Sequence, residues 1–233
     1  GCADVNNDDD DLLSEVASLA QIPTCTSGTW CQETAPVSSI LYTVWAQSFN
    51  DVFAVGNDGV ILRRLNNEEW ASMASGTSVH LRGVWGTSSS NVWVVGNAGT
   101  VLRFDGTNWS PVTIPTTSDL GAVWLSSAGT VWIVGAAKVW RSTDNGVNWT
   151  SWTRTGILLS ISGTNDSNVW ATGENTQAHK WNGSTWSNVN PGAGTNYFSV
   201  LYLASNNVWV APLTPASRRF TNKWNSVTAP AGT

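Results

Sequence analysis

The 233-residue sequence predicts an all-β fold, a β-propeller of four-stranded blades. Three observations predict it: a repeat of about 40 residues, short apolar strands inside each repeat, and an excess of tryptophan. Sixteen Trp and 21 Gly sit among only 12% charged residues, and 41% of the chain is hydrophobic, enough for a sizeable core. The stretch VWGTSSSNVWVVGNAGTVLRFDGTNW, residues 84 to 109, shows one whole unit.

Two anchors set the repeat. Val44, Val84, Val123, Ile161 and Val200 each stand eight residues before Val52, Val92, Val131, Val169 and Val208. An aromatic follows the second anchor, at Phe53, Trp93, Trp132, Trp170 and Trp209. Next comes a glycine at Gly56, Gly96, Gly135 and Gly173, replaced by Pro212 in the last copy. Each unit closes at Trp70, Trp109, Trp149, Trp186 or Trp224, and successive closing tryptophans are 37 to 40 residues apart.

Within a unit the pattern reads as four strands: one at the first anchor, one at the second, one like TVLRF, and one beginning at the closing Trp. Turns such as Asp105-Gly106 and Asn182-Gly183 suit the hairpins between them. Blades stack face to face, so inner strands are covered on both sides and should be apolar at every position, as VWVV and VWIV are. Indole then fills the wedge between blades. Residues 121 to 138 carry no charge before Lys138 and approach spanning length, but their Gly and Ser/Thr fall at turn positions of the repeat, so two strands are expected there.

Five copies imply five blades. The hairpin-like QIPTCTSGTWCQE, residues 21 to 33, supplies a sixth closing element, because Trp30 stands fifteen residues before Trp45 as Trp70 does before Trp85. It either joins the last blade or adds a partial sixth. Residues 1–19 are expected to form an acidic tether and a short helix, with Leu12, Val16 and Leu19 on one face, and residues 20–233 the propeller. Asp4, Asn6, Asp8, Asp10 and Glu15 match the spacing of a calcium loop, but Asp9 occupies the place that needs Gly, so no metal is assigned. Cys25 and Cys31 flank the short turn of the N-terminal hairpin and are expected to form a disulfide in an oxidising compartment.

STDNGVNW, residues 142 to 149, fits Ser-x-Asp-x-Gly-x-x-Trp and resembles the Asp-box, or BNR repeat, of sialidases and many other propellers. The resemblance implies a structural role for Ser142, Asp144, Gly146 and Trp149, remote from any active site. FDGTNW (104–109) and WNGSTW (181–186) are eroded versions. Residues 40 to 227 also resemble the Trp-rich propellers of bacterial surface proteins. They are less similar to the photosystem II assembly factor of cyanobacteria and plants, and nothing in the chain favours a photosynthetic partner. Gly1-Cys2-Ala3 resembles the end of a bacterial lipobox, which implies lipidation at Cys2 and an outer-membrane or cell-surface location.

The net charge is −5, and Asp4, Asp8, Asp9, Asp10, Asp11 and Glu15 supply six of the sixteen acids. The near-neutral body has no basic stripe for nucleic acid, and a membrane is expected only through the lipid anchor. Sialidase chemistry is excluded, since the family's Arg-Ile-Pro motif is missing and the repeats number five where that family has six blades. His80 and His179 read as isolated surface residues, and neither a nucleophile–base pair nor a cofactor site emerges.

A non-catalytic surface protein that docks another envelope protein is therefore expected, with a glycan-binding lectin as the alternative. The candidate ligand-binding residues are Trp45, Trp85 and Trp124, because the same position holds Ser162 and Leu201 in the last two copies. A lectin with repeated pockets would keep the same polar side chains in each copy. AQSFND, GTSSSN, LSSAGT, GTNDSN and ASNN do not, which favours protein docking.

Overall fold

The computed structural model describes residues 34–66, 69–174, 178–189, 197–204, 207–212, 216–220 and 224–228, the last blade mainly by its backbone. The tether and helix expected over residues 1–19, Cys2, and the 21–33 hairpin with Cys25 and Cys31 lie outside them.

Among the described residues twenty strands form five separate antiparallel sheets, each in chain order. Blade 1 holds β1 (Leu41–Ser48), β2 (Asp51–Gly56), β3 (Ile61–Leu65) and β4 (Ala71–Met73). Blade 2 holds β5 (Leu81–Ser88), β6 (Asn91–Gly96), β7 (Val101–Phe104) and β8 (Trp109–Pro111). Blade 3 holds β9 (Ala122–Leu125), β10 (Val131–Gly135), β11 (Lys138–Ser142) and β12 (Thr150–Thr153). In blade 4 these are β13 (Leu158–Asn165), β14 (Asn168–Gly173), β15 (Ala178–Trp181) and β16 (Trp186–Val189). Blade 5 has β17 (Tyr197–Ala204), β18 (Asn207–Pro212), β19 (Ala216–Phe220) and β20 (Trp224–Thr228). The architecture is the expected propeller, and the apolar run at 121–138 becomes β9 and β10. Among the described residues no helix is long and apolar enough to cross a membrane.

First strands of successive blades touch one another, so they surround the axis and the fourth strands lie outermost. Between blades runs one recurring contact. The second-strand aromatic and the aliphatic two residues on pack against the first and second strands of the next blade. Phe53 and Val55 meet Val84 and Val92; Trp93 and Val95 meet Val123 and Val131; Trp132 and Val134 meet Ile161 and Val169. Trp170 continues the series against Val200 and Val208. Phe53, Trp93, Trp132 and Trp170 are all at most 1% exposed, which places them among the largest fully buried side chains of the core. The closing residues Trp109, Trp149 and Trp186 are only half-buried and cover the outer edge of these clusters.

Directly across from each second-strand aromatic stands a cation on the third strand: Arg63 opposite Phe53, Arg103 opposite Trp93, Arg141 opposite Trp132, Lys180 opposite Trp170, Arg219 opposite Trp209. In blades 1 to 4 the cationic carbon or nitrogen lies 4.8, 5.8, 5.2 and 5.6 Å from the ring centre, within cation–π range. Arg63 is also held by two bonds to the Asp51 carboxylate, at 2.9 and 3.1 Å. Its guanidinium lies 5.5 Å from Phe104 of the next blade, so this cation spans the blade boundary.

The glycine that ends each second strand answers a close approach rather than a turn. At Gly56, Gly96, Gly135 and Gly173 a Cβ would stand 1.9 to 2.3 Å from the carbonyl oxygen of Ile40, His80, Asp119 or Ile157, just before the first strand. The following residue uses that carbonyl: Asn57, Asn97 and Glu174 donate their N–H to Ile40, His80 and Ile157 at 2.9 Å. The first and second strands are thereby clamped at one end of the blade.

Two outcomes follow in urea denaturation. Trp132→Ala, which empties a fully buried indole site, should cost about 3–5 kcal/mol. Gly135→Ala should cost about 1–3 kcal/mol by overpacking against main chain that has no room to retreat.

Candidate functional site

The clamped ends of the first and second strands form one mouth of the ring. Its side chains come from two positions per blade: two residues before the first anchor, and the residue after the clamp glycine. The first set is Tyr42, Arg82, Gly121 and Leu159; the second is Asn57, Asn97, Ala136 and Glu174. Unlike the anchors, these positions differ from blade to blade, so the chemistry changes around the rim.

On blades 1 and 2 the rim is aromatic and basic. The Tyr42 hydroxyl donates to Asn57 Oδ1 at 2.5 Å, and Arg82 Nε donates to Asn97 Oδ1 at 3.0 Å. These two bonds hold the side chains upright, and the Arg82 guanidinium lies 4.7 Å from the Tyr42 ring centre. His80 meets the Tyr42 ring edge-on at 6.5 Å, while its Nδ1 accepts the Asp58 N–H at 3.3 Å. Toward blades 3 and 4 the rim turns aliphatic and acidic. A depression of about 570 Å³ there is lined by Arg82, Asp119, Ile157, Leu159 and Glu174 among others. Ile157 is 47% exposed at its edge, and Asp119 Oδ1 accepts the Ala98 N–H at 2.9 Å. A larger groove of about 730 Å³ runs along β4, but its walls are mostly Ser, Gly and Ala, with Asp58 the one charged side chain.

An anchored tyrosine and arginine beside exposed aliphatics and carboxylates suit a polypeptide, because Tyr and Arg give large contact area and directed bonds. Among the described residues no group of three or more His, Cys, Asp or Glu could hold a metal ion.

The candidate tryptophans lie elsewhere, along the inner wall. Trp45 packs on Gly86 and Trp124 on Gly163, where a Cβ would come within 2.7 and 2.8 Å of the indole. Trp85 and Trp45 are half-buried, whereas Trp124 is 4% exposed. All three lean on the next blade's core. Neither they nor the Asp-box residues join the mouth.

In the Asp-box hairpin Ser142 Oγ donates to Asp144 Oδ1 at 2.7 Å and accepts the Gly146 N–H at 2.8 Å. Asp144 also accepts the Asn148 N–H at 2.9 Å and the Asn148 side-chain amide at 2.8 Å. Those bonds, the Asn148 main-chain one foremost, hold its pKa down to about 2. Gly146 takes φ of 85°, and Trp149 Nε1 reaches the Thr113 carbonyl of blade 2 at 3.0 Å. Asp105 and Asn182 cap the two eroded turns in the same way, each accepting two main-chain N–H groups at 2.8–2.9 Å.

His179 departs from the expectation of a surface residue. It is fully buried on β15, and its Nδ1 lies 2.9 Å from Asn188 Oδ1. Its neighbour Lys180 points to the opposite side, over Trp170, so strand alternation turns His179 into the core. Burial lowers its pKa, more than the Asn188 bond raises it.

No family model and no curated protein matches the chain. Solved propellers do. YCF48 bound to D1 peptide matches with a TM-score of 0.66 and 13% identity over 82% of this chain and 67% of that one. YCF48 from Cyanidioschyzon merolae gives 0.65 and 17% over 85% and 74%. The WD40 repeats of RRP9 give 0.64 and 11% over 76% and 62%. At these identities the likeness shows the fold alone, a β-propeller.

These findings correct part of the sequence reading. The Asp-box family assignment, the lipoprotein description tied to Cys2, and carbohydrate binding find no counterpart among the matches and are set aside. The disulfide is set aside too. There is none among the described residues, which contain no cysteine. A lone octapeptide that builds a good hairpin can arise in any propeller, so its geometry stands without the family label.

Two pH steps in stability are expected from the buried histidine and the capped aspartate. The unfolded chain takes up a proton at His179 below about pH 6.5 and the folded one resists, so stability should fall as pH drops through 6. Asp144 stabilises the fold above about pH 4, and that contribution should vanish as pH falls toward 2. Melting temperatures of the parent, His179→Gln and Asp144→Asn across pH 2–8 check this: each variant should lose its own step.

Proposed function

We propose that the protein is a non-catalytic docking propeller that binds a segment of another protein at the mouth formed by Tyr42, Arg82, Asp119, Ile157, Leu159 and Glu174. One observation carries the reading: a rim of varied side chains, anchored by Tyr42–Asn57 and Arg82–Asn97 bonds, on a repeat whose core positions hardly vary. The likeness to a propeller described as bound to a peptide supports the same use of the fold. Leu159 and Ile157 offer an apolar floor for one side chain of the segment. Arg82 on one wall and Asp119 and Glu174 on the other favour a segment with both an acidic and a basic group.

In this reading Trp45 and Trp85 keep a half-exposed edge toward a segment that enters the channel, and Trp124 serves as a wedge. The partner is expected to be an envelope or surface protein, met outside the cytoplasm.

Affinity capture from a cell-envelope extract tests the proposal. The parent chain should retain a protein that the Arg82→Glu, Ile157→Asp double variant loses by at least tenfold, with both chains melting at the same temperature. Equal capture by the two would contradict the mouth as the docking site.

A further inference from the structure

Two blade boundaries carry a latch at the mouth beyond the clamp glycines. In the turns after β2 and β6, Asp58 and Ala98 hold left-handed main chain, with φ of 56° and 54°. Each donates its N–H across the boundary to the side chain four residues before the next blade's first anchor. Ala98 reaches Asp119 Oδ1 at 2.9 Å, and Asp58 reaches His80 Nδ1 at 3.3 Å. At the third boundary that place is held by Ile157, whose side chain offers no acceptor. One position thus carries three chemistries, and histidine is the one whose charge changes between pH 5 and 8.

The His80 latch requires a neutral ring. Its Nδ1 accepts, so the ring proton belongs on Nε2, and a proton taken up at Nδ1 removes the lone pair that the Asp58 N–H uses. The groups around the ring decide what replaces that bond. From the turn after β2, the largely exposed Asp58 carboxylate lies 4.0 Å from Nδ1, within a short swing of contact. From β1 the Tyr42 ring meets the imidazole edge-on at 6.5 Å, and from β5 the Arg82 guanidinium lies 4.7 Å from the centre of that same tyrosine. Asp58 therefore supplies a counter-charge for an imidazolium and Arg82 a like charge. We propose that His80 is a pH-sensitive latch of the mouth: its protonation exchanges the Asp58 main-chain bond for a contact with the Asp58 carboxylate and resets the Tyr42 side of the rim. The link to Tyr42 is short. Asn57, the residue before Asp58, accepts the Tyr42 hydroxyl, so a turn that shifts at Asp58 moves the atom that holds Tyr42 upright. The exchange also places a second cation near Arg82. Resting on the docking reading above, this makes blades 1 and 2 the better receiver of the segment's acidic group in mildly acidic solution.

An NMR titration of the isotope-labelled full chain between about pH 8 and pH 5 tests the latch with the proton as the probe. The Asp58 amide and Tyr42 ring signals should shift with the same midpoint as the His80 ring. The Ala98 amide should stay in place, since its acceptor is a carboxylate and carboxylates titrate near about pH 4. His80→Asn keeps an acceptor of the same reach as Asp119 but cannot titrate, so it should abolish both shifts and melt with the parent at neutral pH. A still Asp58 amide while the His80 ring titrates, or a step that survives in His80→Asn, would overturn the proposal. Affinity capture from the envelope extract supplies the docking arm. The parent should retain roughly threefold more of the protein that Arg82→Glu loses at about pH 5.5 than at about pH 7.5, and His80→Asn the same amount at both. Arg82-dependent capture by the parent that is equal at the two pH values would overturn the control of docking by His80. No Arg82-dependent capture at either pH, with the NMR step present, would defeat the mouth as the docking site and uphold the latch.

Discussion

The wedge of one second-strand aromatic against the first strand of the next blade is the contact on which the rest depends. A four-stranded blade has two apolar faces and no stability of its own, so each blade folds only as its neighbour's floor. Phe53, Trp93, Trp132 and Trp170 supply the wedge, and the facing third-strand cations lie against their rings. That arrangement explains a chain with many indoles and few charges. It also explains why four of the eleven cations stand where a charge would otherwise be costly: an Arg or Lys over an aromatic keeps its stem in the core boundary and its head near water.

A second constraint follows from the first. If the blades are to pack at a constant step, first and second strands must meet closely at one end, and the clamp glycines permit it. The main chain there is spent on internal bonds, which leaves the adjoining side chains free of structural duty. Tyr42, Arg82, Gly121 and Leu159 occupy one position in the repeat with four unrelated chemistries. A rigid ring with a variable mouth is a suitable platform for recognising a partner segment, since little ordering cost is incurred at the protein's side of the contact.

The period and the strand order were legible because anchors such as Val84 and Val92 repeat at a fixed interval and burial on both faces leaves an unmistakable apolar run. The cation rows were present too, nine or ten residues after each second-strand aromatic, but a charge in an apolar strand reads as a surface residue unless its cross-strand partner is known. His179 was misread for a related reason: strand alternation decides its side, and the bulges in first strands obscure the register. The mouth could not be read from spacing, since Arg82, Asp119 and Glu174 belong to three blades and meet only when those blades stack. The exposure of Val44 was equally hidden. It repeats the anchor perfectly, yet it is 62% exposed where Val84 and Val123 are buried.

Hydrogen exchange on the full chain, alone and with the protein it captures, tests the docking account most directly. The account predicts slowed exchange confined to the mouth, in the segments around residues 80–82, 119–121, 157–159 and 173–174. Protection at the outer strands β4, β8 and β12 with an unchanged mouth would contradict it.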